Sequence, residues 1–457
     1  MIIEQARALR ESGHPQRAYS LLCEAGEGLE LQTLALVAAE KQTCLLAMAR
    51  EGDWRRRLLL FNGALMLFYQ ITDVLPTHRP AYECQAAFWE LMGDFDRGKR
   101  LRRTWSALCN EPDDNDVPTE PQLRIIAPAW HCEGRTPRIL FVVPPRPHYG
   151  LDVLYDGLCT VLGDELVIDF PWKHSLHGAP LASNTSYPCA SNRRGERLNP
   201  QDVIARLKAG QVDAVLWGDF DQAADAGMAR AISEAADNTP FFIIDAEDEC
   251  TDRFDEVLAS LGRSSATGYF KREMLACVDY GKSVAPMPFA YPDRLVLSED
   301  SHNERSGFFW AGQRWCGLRD IYLRRIESMT GQAFTEAYEP AVYQNRLRQA
   351  AIGFSGFGAG FDTVRYWELP AQGCMLLSQR SPLTIPHNFV DGESAVFFDD
   401  LRDLEEKLAH YLAHRQRVAE IAREGRRHLL RYHTASARAR QLLGHMDAMQ
   451  HTQRKRS

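Results

Sequence analysis

The sequence predicts an α/β protein with two doubly wound parallel sheets in series, preceded by an all-helical region. Three observations predict it. Over residues 1–110, apolar side chains recur at three- and four-residue spacing, broken at Gly13-His14-Pro15, Gly52-Asp53 and Gly93-Asp94. That period belongs to helices. From 138 onward, short apolar runs alternate with amphipathic segments, as strand–helix units on a parallel sheet do. A proline-rich passage, VAPMPFAYPDR at 284–294, splits that alternation in two.

In the helical region, AYECQAAFWELMGDFDRGKRLRRTWSALCNEP resembles a tetratricopeptide repeat: helix, Gly-Asp-Phe turn, second helix, closing Pro112. Ala86 and Gly98 fall where the repeat wants small residues, whereas Trp105 is bulky at another such place. ESGHPQRAYSLLCEAG is a weaker copy. Two readings stay open: a helix-pair array with a concave binding face, and a helical cap packed on the body. The acidic, proline-rich EPDDNDVPTEP begins a linker over 111–136.

The first α/β domain spans 137–283, with strands at 138–143, 165–170, 212–217 and 240–245. Helical patterns fill 151–162, 200–209, 221–236 and 252–261, and Asn199-Pro200 supplies an N-cap and first-turn pair. A connector covers 284–306. The second domain, 307–434, has strands FFWAG (308–312), AFTEAY (333–338), AAIGFS (350–355), CMLLS (374–378) and AVFF (395–398), then helices over 401–432. A last helix occupies 435–450 and a basic tail 451–457.

The chain has 457 residues and a net charge of −8, which argues against a general nucleic-acid binder. Its eleven cysteines form no C-x-x-C pair, as expected of reduced thiols in a cytoplasmic protein. The N-terminal stretch lacks the apolar core of a signal peptide, and LLLFNGALMLFYQI at 58–71 is too short to span a bilayer.

The richest segment is GFSGFGAGFDTVRYWE, 353–368: a strand end, a loop with glycines at 356, 358 and 360, Asp362 or Thr363 as N-cap, then a helix. Such a loop admits close backbone approach, and the helix start offers N–H donors to an anion. Arg365 suits a phosphate and Glu368 suits sugar hydroxyls, so the segment reads as a nucleotide site. The plain alternatives are a tight turn and a surface ion pair at i, i+3.

The order of features (strand, glycine loop, D-T-V-R-Y-W-E helix, Ala371-x-Gly373, strand, Pro, D-G-E before an apolar strand, charged helices) resembles the C-terminal half of GT-B glycosyltransferases. It is most similar to the glycosyl transferase family-1-like set that includes CgeB-like proteins, as are YFKREM (269–274), MPF (287–289) and HLLRYHT (428–434). The resemblance implies two Rossmann-like domains facing a cleft. A nucleotide-sugar would be held by the second domain and an acceptor by the first, with a final helix crossing back. It also implies helix dipoles and basic side chains in place of a metal, so no metal or other cofactor is expected.

The donor-binding residues so implied are Gly312, Arg314, Arg319, Gly358, Gly360, Asp362, Thr363, Arg365 and Glu368. Retaining relatives often carry two glutamates separated by seven residues; here Gly360 stands where the first would be, which leaves stereochemistry open.

An inverting enzyme needs a base in the first domain. His148, in PPRPHYG after the first strand, is placed for it, with Asp245 and Asp248 as alternatives. Lys271 and Arg272 lie near the domain junction, facing either cleft or solvent. The acidic run DAEDE (245–249) lacks histidines to complete a metal site, and His174 and His177 lack a third ligand. Their segment, 171–199, reads as a mobile functional loop.

The expected activity is therefore hexosyltransferase-like transfer to a protein, glycan or lipid acceptor, a protein being recruited through the helical region. A catalytically silent scaffold is the alternative. A dinucleotide-dependent oxidoreductase fits poorly, because neither PPRPHYG nor AGQRWCG gives G-x-G-x-x-G.

Overall fold

The computed structural model describes residues 2–24, 28–112, 124–132, 134–178, 189–220, 226–298, 305–315, 317–335 and 337–455. The centre of the expected linker, the start of the 221–236 helix, the middle of the 171–199 loop and the end of the 284–306 connector lie outside the described residues.

The helical region comprises α1 (Ile2–Glu11), α2 (Pro15–Cys23), α3 (Leu31–Arg50), α4 (Trp54–Val74), α5 (Arg79–Leu91) and α6 (Phe95–Leu108). The Gly-Asp breaks start helices because Asp53 and Asp94 accept from the Arg56 and Arg97 N–H groups. A Cβ on Gly98 would come within 3.0 Å of the Ala86 carbonyl, so the α5–α6 hairpin closes on its small residues.

The apolar faces of these helices are covered. Leu45, Phe61, Phe68 and Trp89 share one core with Trp310, Tyr322, Phe354 and Phe361 of the second domain. Arg100 and Arg103 of α6 pair with Asp399 and Asp400 at 3.5 and 3.1 Å. Of the two readings of this region, the packed cap is the one the contacts support.

The first sheet has the order β2-β1-β3-β4-β5-β6, all parallel. In chain order its elements are β1 (Ile139–Val142), α7 (Tyr149–Leu162), β2 (Val167–Phe170), α8 (Pro200–Lys208), β3 (Ala214–Trp217), α9 (Ala226–Ala235), β4 (Phe241–Asp245), α10 (Phe254–Ser260), β5 (Gly268–Lys271) and β6 (Val284–Pro286). The first four strands are buried along their whole length and fall inside the apolar runs that predicted them. Sequence reading missed β5 and β6, and β6 takes up the start of the segment assigned to the connector. GYFK and VAP are short and carry Gly or Pro, so neither stands out as an apolar run.

The second sheet, ordered β10-β9-β8-β7 and also parallel, is built from β7 (Phe308–Phe309), α11 (Arg319–Thr330), α12 (Pro340–Gln349), β8 (Ile352–Ser355), α13 (Val364–Ala371), β9 (Met375–Gln379) and β10 (Val396–Phe398). Helices α14 (Leu401–Ala413), α15 (Arg415–Tyr432) and α16 (Ala435–Arg454) follow. The strand expected at 333–338 is absent among its described residues. Its apolar side chain Phe334 instead plugs the core from a loop, 5.6 Å from the Phe308 ring centre.

Helix α16 returns to the first domain, where Leu442, Leu443 and Met446 enter the core beside Leu151, Leu154 and Leu158 of α7. Two parallel-sheet domains joined by a returning C-terminal helix form the GT-B arrangement. The return depends on Gly157, where an added Cβ would lie 2.1 Å from the Ala435 carbonyl oxygen. Gly157→Ala is expected to destabilise the fold by about 3 kcal/mol, read as a lower urea midpoint.

Candidate functional site

The glycine loop leaves β8 at Ser355 and ends at Thr363, the N-cap residue of α13. The Thr363 hydroxyl does not cap; it bonds Ser355 Oγ at 2.9 Å. Within the loop, the Gly358 N–H donates to the Gly360 carbonyl (2.9 Å) and the Phe357 N–H to Gln379 Oε1 (3.1 Å).

Two amides of the loop just before the helix are already taken by an acidic side chain of the protein's own. Phe361 and Asp362 N–H donate to Glu273 Oε2 and Oε1 at 2.9 and 3.0 Å, and Glu273 follows β5 of the first domain. A Cβ on Gly360 would lie 2.5 Å from Glu273 Oε1 and 3.0 Å from Asp248 Oδ1. Glycine is required there for the approach of the other domain. Asp362 accepts from the Phe289 N–H (2.6 Å) and Trp367 Nε1 (2.7 Å), while its carbonyl accepts from Arg272 (2.9 Å). Arg272 also donates to the Ala246 carbonyl and pairs with Asp248. Burial pushes the Glu273 carboxyl up, against the pull of Arg272 and the two amides. Gly360 and Asp362, expected to bind donor, therefore join the two domains, and Lys271 and Arg272 face neither cleft nor solvent.

A second cluster forms on α13. Arg365 Nη2 donates to the Tyr343 hydroxyl at 3.3 Å, and that hydroxyl donates to Glu368 Oε2 at 2.6 Å. Arg365 Nε lies 3.9 Å from the same carboxylate oxygen. Gly312, at the exit of β7 with φ +138°, allows this: its Cβ would sit 3.0 Å from Arg365 Nη1. Glu368 is 7% exposed. Burial raises its pKa, while Arg365 and Tyr343 oppose the rise. The charge of the carboxylate is felt by Tyr149 and Cys189 of the first domain and by Tyr291 after it, where it helps raise their pKa values beside the larger effect of burial. Sequence reading found Arg365 and Glu368 and missed Tyr343, because PAVYQNRLRQ carries no motif.

The other two arginines part company. Both arms of Arg314 are held by α11, through Asp320 (2.6 Å) and Glu327 (2.9 and 3.0 Å), which removes it from the donor set. Arg319 lies along the glycine loop, donating to the Gln313 and Gly356 carbonyls at 2.7 and 3.4 Å. Its Nη2 would meet a Cβ on Gly358 at 2.9 Å, so it stays beside the candidate site.

On the first domain, His148 is the N-cap of α7; its Nδ1 accepts from the Leu151 N–H and its Nε2 lies 3.8 Å from Glu247 Oε1. The nearby His148 depresses the Glu247 carboxyl, with help from Arg146 and against burial. Glu247 was passed over inside DAEDE. Asp245, by contrast, is a poor base: fully buried, it pairs with Lys271 of the neighbouring strand at 2.8 Å. Asp248 is held by Arg272.

His177, expected in a mobile loop, is fixed. It bonds Asp169 (3.0 Å) and the Arg193 carbonyl (2.9 Å) and stacks on Trp172 with ring centres 4.7 Å apart. Among the described residues, no three His, Cys, Asp or Glu side chains gather as a metal site would need.

Residues 302–444 match the family model described as glycosyl transferase-like. That span takes in the second domain and the first half of α16. Among solved structures, the chain is similar to a glycosyltransferase from Rickettsia africae ESF-5, with 10% identity, 68% of this chain and 98% of that chain covered, and a TM-score of 0.42. For HepE of Anabaena in complex with UDP the identity is 10%, the coverage 68% and 100%, and the TM-score 0.44. For a mutant O-GlcNAc transferase of Thermobaculum terrenum they are 11%, 99% and 98%, and 0.33. No curated protein sequence matches the chain. Among the described residues, no helix is long and apolar enough to cross a membrane.

Proposed function

We propose that the protein is a cytoplasmic glycosyltransferase that moves a sugar, hexose-like in size, from a nucleoside diphosphate to an acceptor hydroxyl. The observation that carries this reading is the Arg365–Glu368 pair near the start of α13, within the segment that matches the glycosyl transferase-like model. Glu368 takes the ribose hydroxyls, and Arg365, lying over Gly312, takes the diphosphate. Arg319 and the half-exposed Gly358 line the loop on the sugar side. The charge developing on the leaving diphosphate falls to Arg365, whose largely buried guanidinium is little screened by water. No metal is assigned a part.

His148 is the assigned base: Glu247 lies beside its Nε2 edge, and Nδ1 gives up the long 3.5 Å bond from the Leu151 N–H to take the acceptor proton. The acceptor, a protein, glycan or lipid hydroxyl, enters from the first domain's side, and the helical cap supports the donor domain.

Release of nucleoside diphosphate from a panel of UDP-, GDP- and TDP-sugars tests the activity. Thermal melting with the free diphosphates tests binding, since a ligand held only by the folded protein raises the midpoint. No shift with any of them would return the chain to a scaffold role. His148→Gln is expected to slow transfer by roughly 10²- to 10⁴-fold with donor KM unchanged, in initial-rate kinetics.

A further inference from the structure

We propose that Tyr343 stands in for a ribose hydroxyl on Glu368 and must withdraw for a nucleotide to bind, making α12 a gate that selects ligands with an intact ribose. This rests on Glu368 being the ribose acceptor and adds the group that competes for it.

The Tyr343 hydroxyl donates to Glu368 Oε2 at 2.6 Å, the length of a charge-assisted O–H···O⁻ bond. A ribose hydroxyl is the same kind of donor seeking the same acceptor. The same phenol oxygen also accepts from Arg365 Nη2 at 3.3 Å. One hydroxyl thus occupies both halves of the site, the carboxylate assigned to ribose and the guanidinium assigned to phosphate. Arg365 Nε, meanwhile, is buried with no hydrogen-bond partner among the described residues.

The two sides of this contact are anchored unequally. Helix α13 buries Tyr366 through Ala371 without a break, so Glu368 is fixed. Helix α12 buries Leu347 alone, and the described residues from 331 to 339 before it have no regular structure. The Tyr343 ring, only partly buried, packs at the edge of the core, edge-on to Phe309 at 5.2 Å. Tyr343 is therefore the side able to move.

The exchange has a definite selectivity. Trading a phenol donor for a ribose donor leaves the buried carboxylate satisfied, so a ribonucleotide displaces Tyr343 at little cost. A dideoxynucleotide or inorganic diphosphate offers Glu368 no donor, and its entry would strand a buried charge.

The test uses the full chain and calorimetric titration with UDP, GDP and ADP, followed by the 2′,3′-dideoxy form of the tightest binder. Tyr343→Phe removes only the hydroxyl. It is expected to melt below the wild type alone and to bind the ribonucleotide and its dideoxy form each roughly tenfold more tightly, since neither then breaks the Tyr343–Glu368 bond, while the preference for the ribonucleotide, set by Glu368, is kept. Unchanged or weaker ribonucleotide binding, or a gain with the ribonucleotide that the dideoxy form does not share, overturns the gate. Glu368→Gln separates the two failures. Weakened binding there with no gain in Tyr343→Phe sinks the gate alone, whereas full binding by Glu368→Gln, or none by the wild type, sinks the assignment of Glu368 and the gate with it.

Discussion

Glu368→Gln is expected to weaken nucleoside diphosphate binding by about 10- to 100-fold without unfolding the protein. The side chain keeps its volume and one carbonyl oxygen but loses the charge that makes its hydrogen bonds strong. Bonds to charged groups contribute about 1.5–3 kcal/mol, and each 1.4 kcal/mol is tenfold in affinity. Stability should move the other way at neutral pH. Burial raises the Glu368 pKa, so its charged form opposes folding: the stability it contributes is present below its unfolded pKa and lost as pH rises through the folded one. The variant carries no such charge. It should match or exceed the wild type in urea unfolding at pH 7 and lose that margin below about pH 4. Calorimetric affinity equal to wild type would remove the carboxylate from the site.

What the sequence could show of this site follows from the range of each interaction. Arg365 and Glu368 were legible because both lie within one turn of a recognisable helix start. Strands β1 to β4 were legible because burial on both faces demands unbroken apolar runs. The occupant of the loop amides at 361 and 362 was not. A glycine loop looks the same in sequence whether its anion is a phosphate or the protein's own Glu273, which is 88 residues from Phe361. Nor could Arg314 be told from a phosphate ligand, since its claim by Glu327 appears only once α11 is folded back over it. The amphipathic helices of the first hundred residues demanded a partner for their apolar faces. Only the fold identifies that partner as the second sheet's own core, through contacts such as Trp89 with Phe361 at 5.8 Å.

Removing the internal anion should be among the most damaging single changes to the fold. In Glu273→Leu, the Phe361 and Asp362 amides lose their acceptor, and Arg272, 1% exposed, loses the carboxylate beside it at 3.1 Å. Breaking one side of a buried ion pair costs about 3–5 kcal/mol where the remaining charge is left uncompensated; Asp248 still pairs with Arg272 here, which sets the loss at the lower end, about 3 kcal/mol. The expected result is a fall of that size in unfolding free energy. The double variant Arg272→Met with Glu273→Leu should recover part of it, since an apolar pair carries no stranded charge. This contact lies where the β5 exit of one domain meets the α13 start of the other, so its loss should also loosen the angle between the domains. Faster amide exchange at 356–363 in the single variant, with the cores of both sheets still protected, would show the joint opening before the domains unfold. A loss below 1 kcal/mol would mean that Glu273 merely fills space and that the 361 and 362 amides do not depend on it.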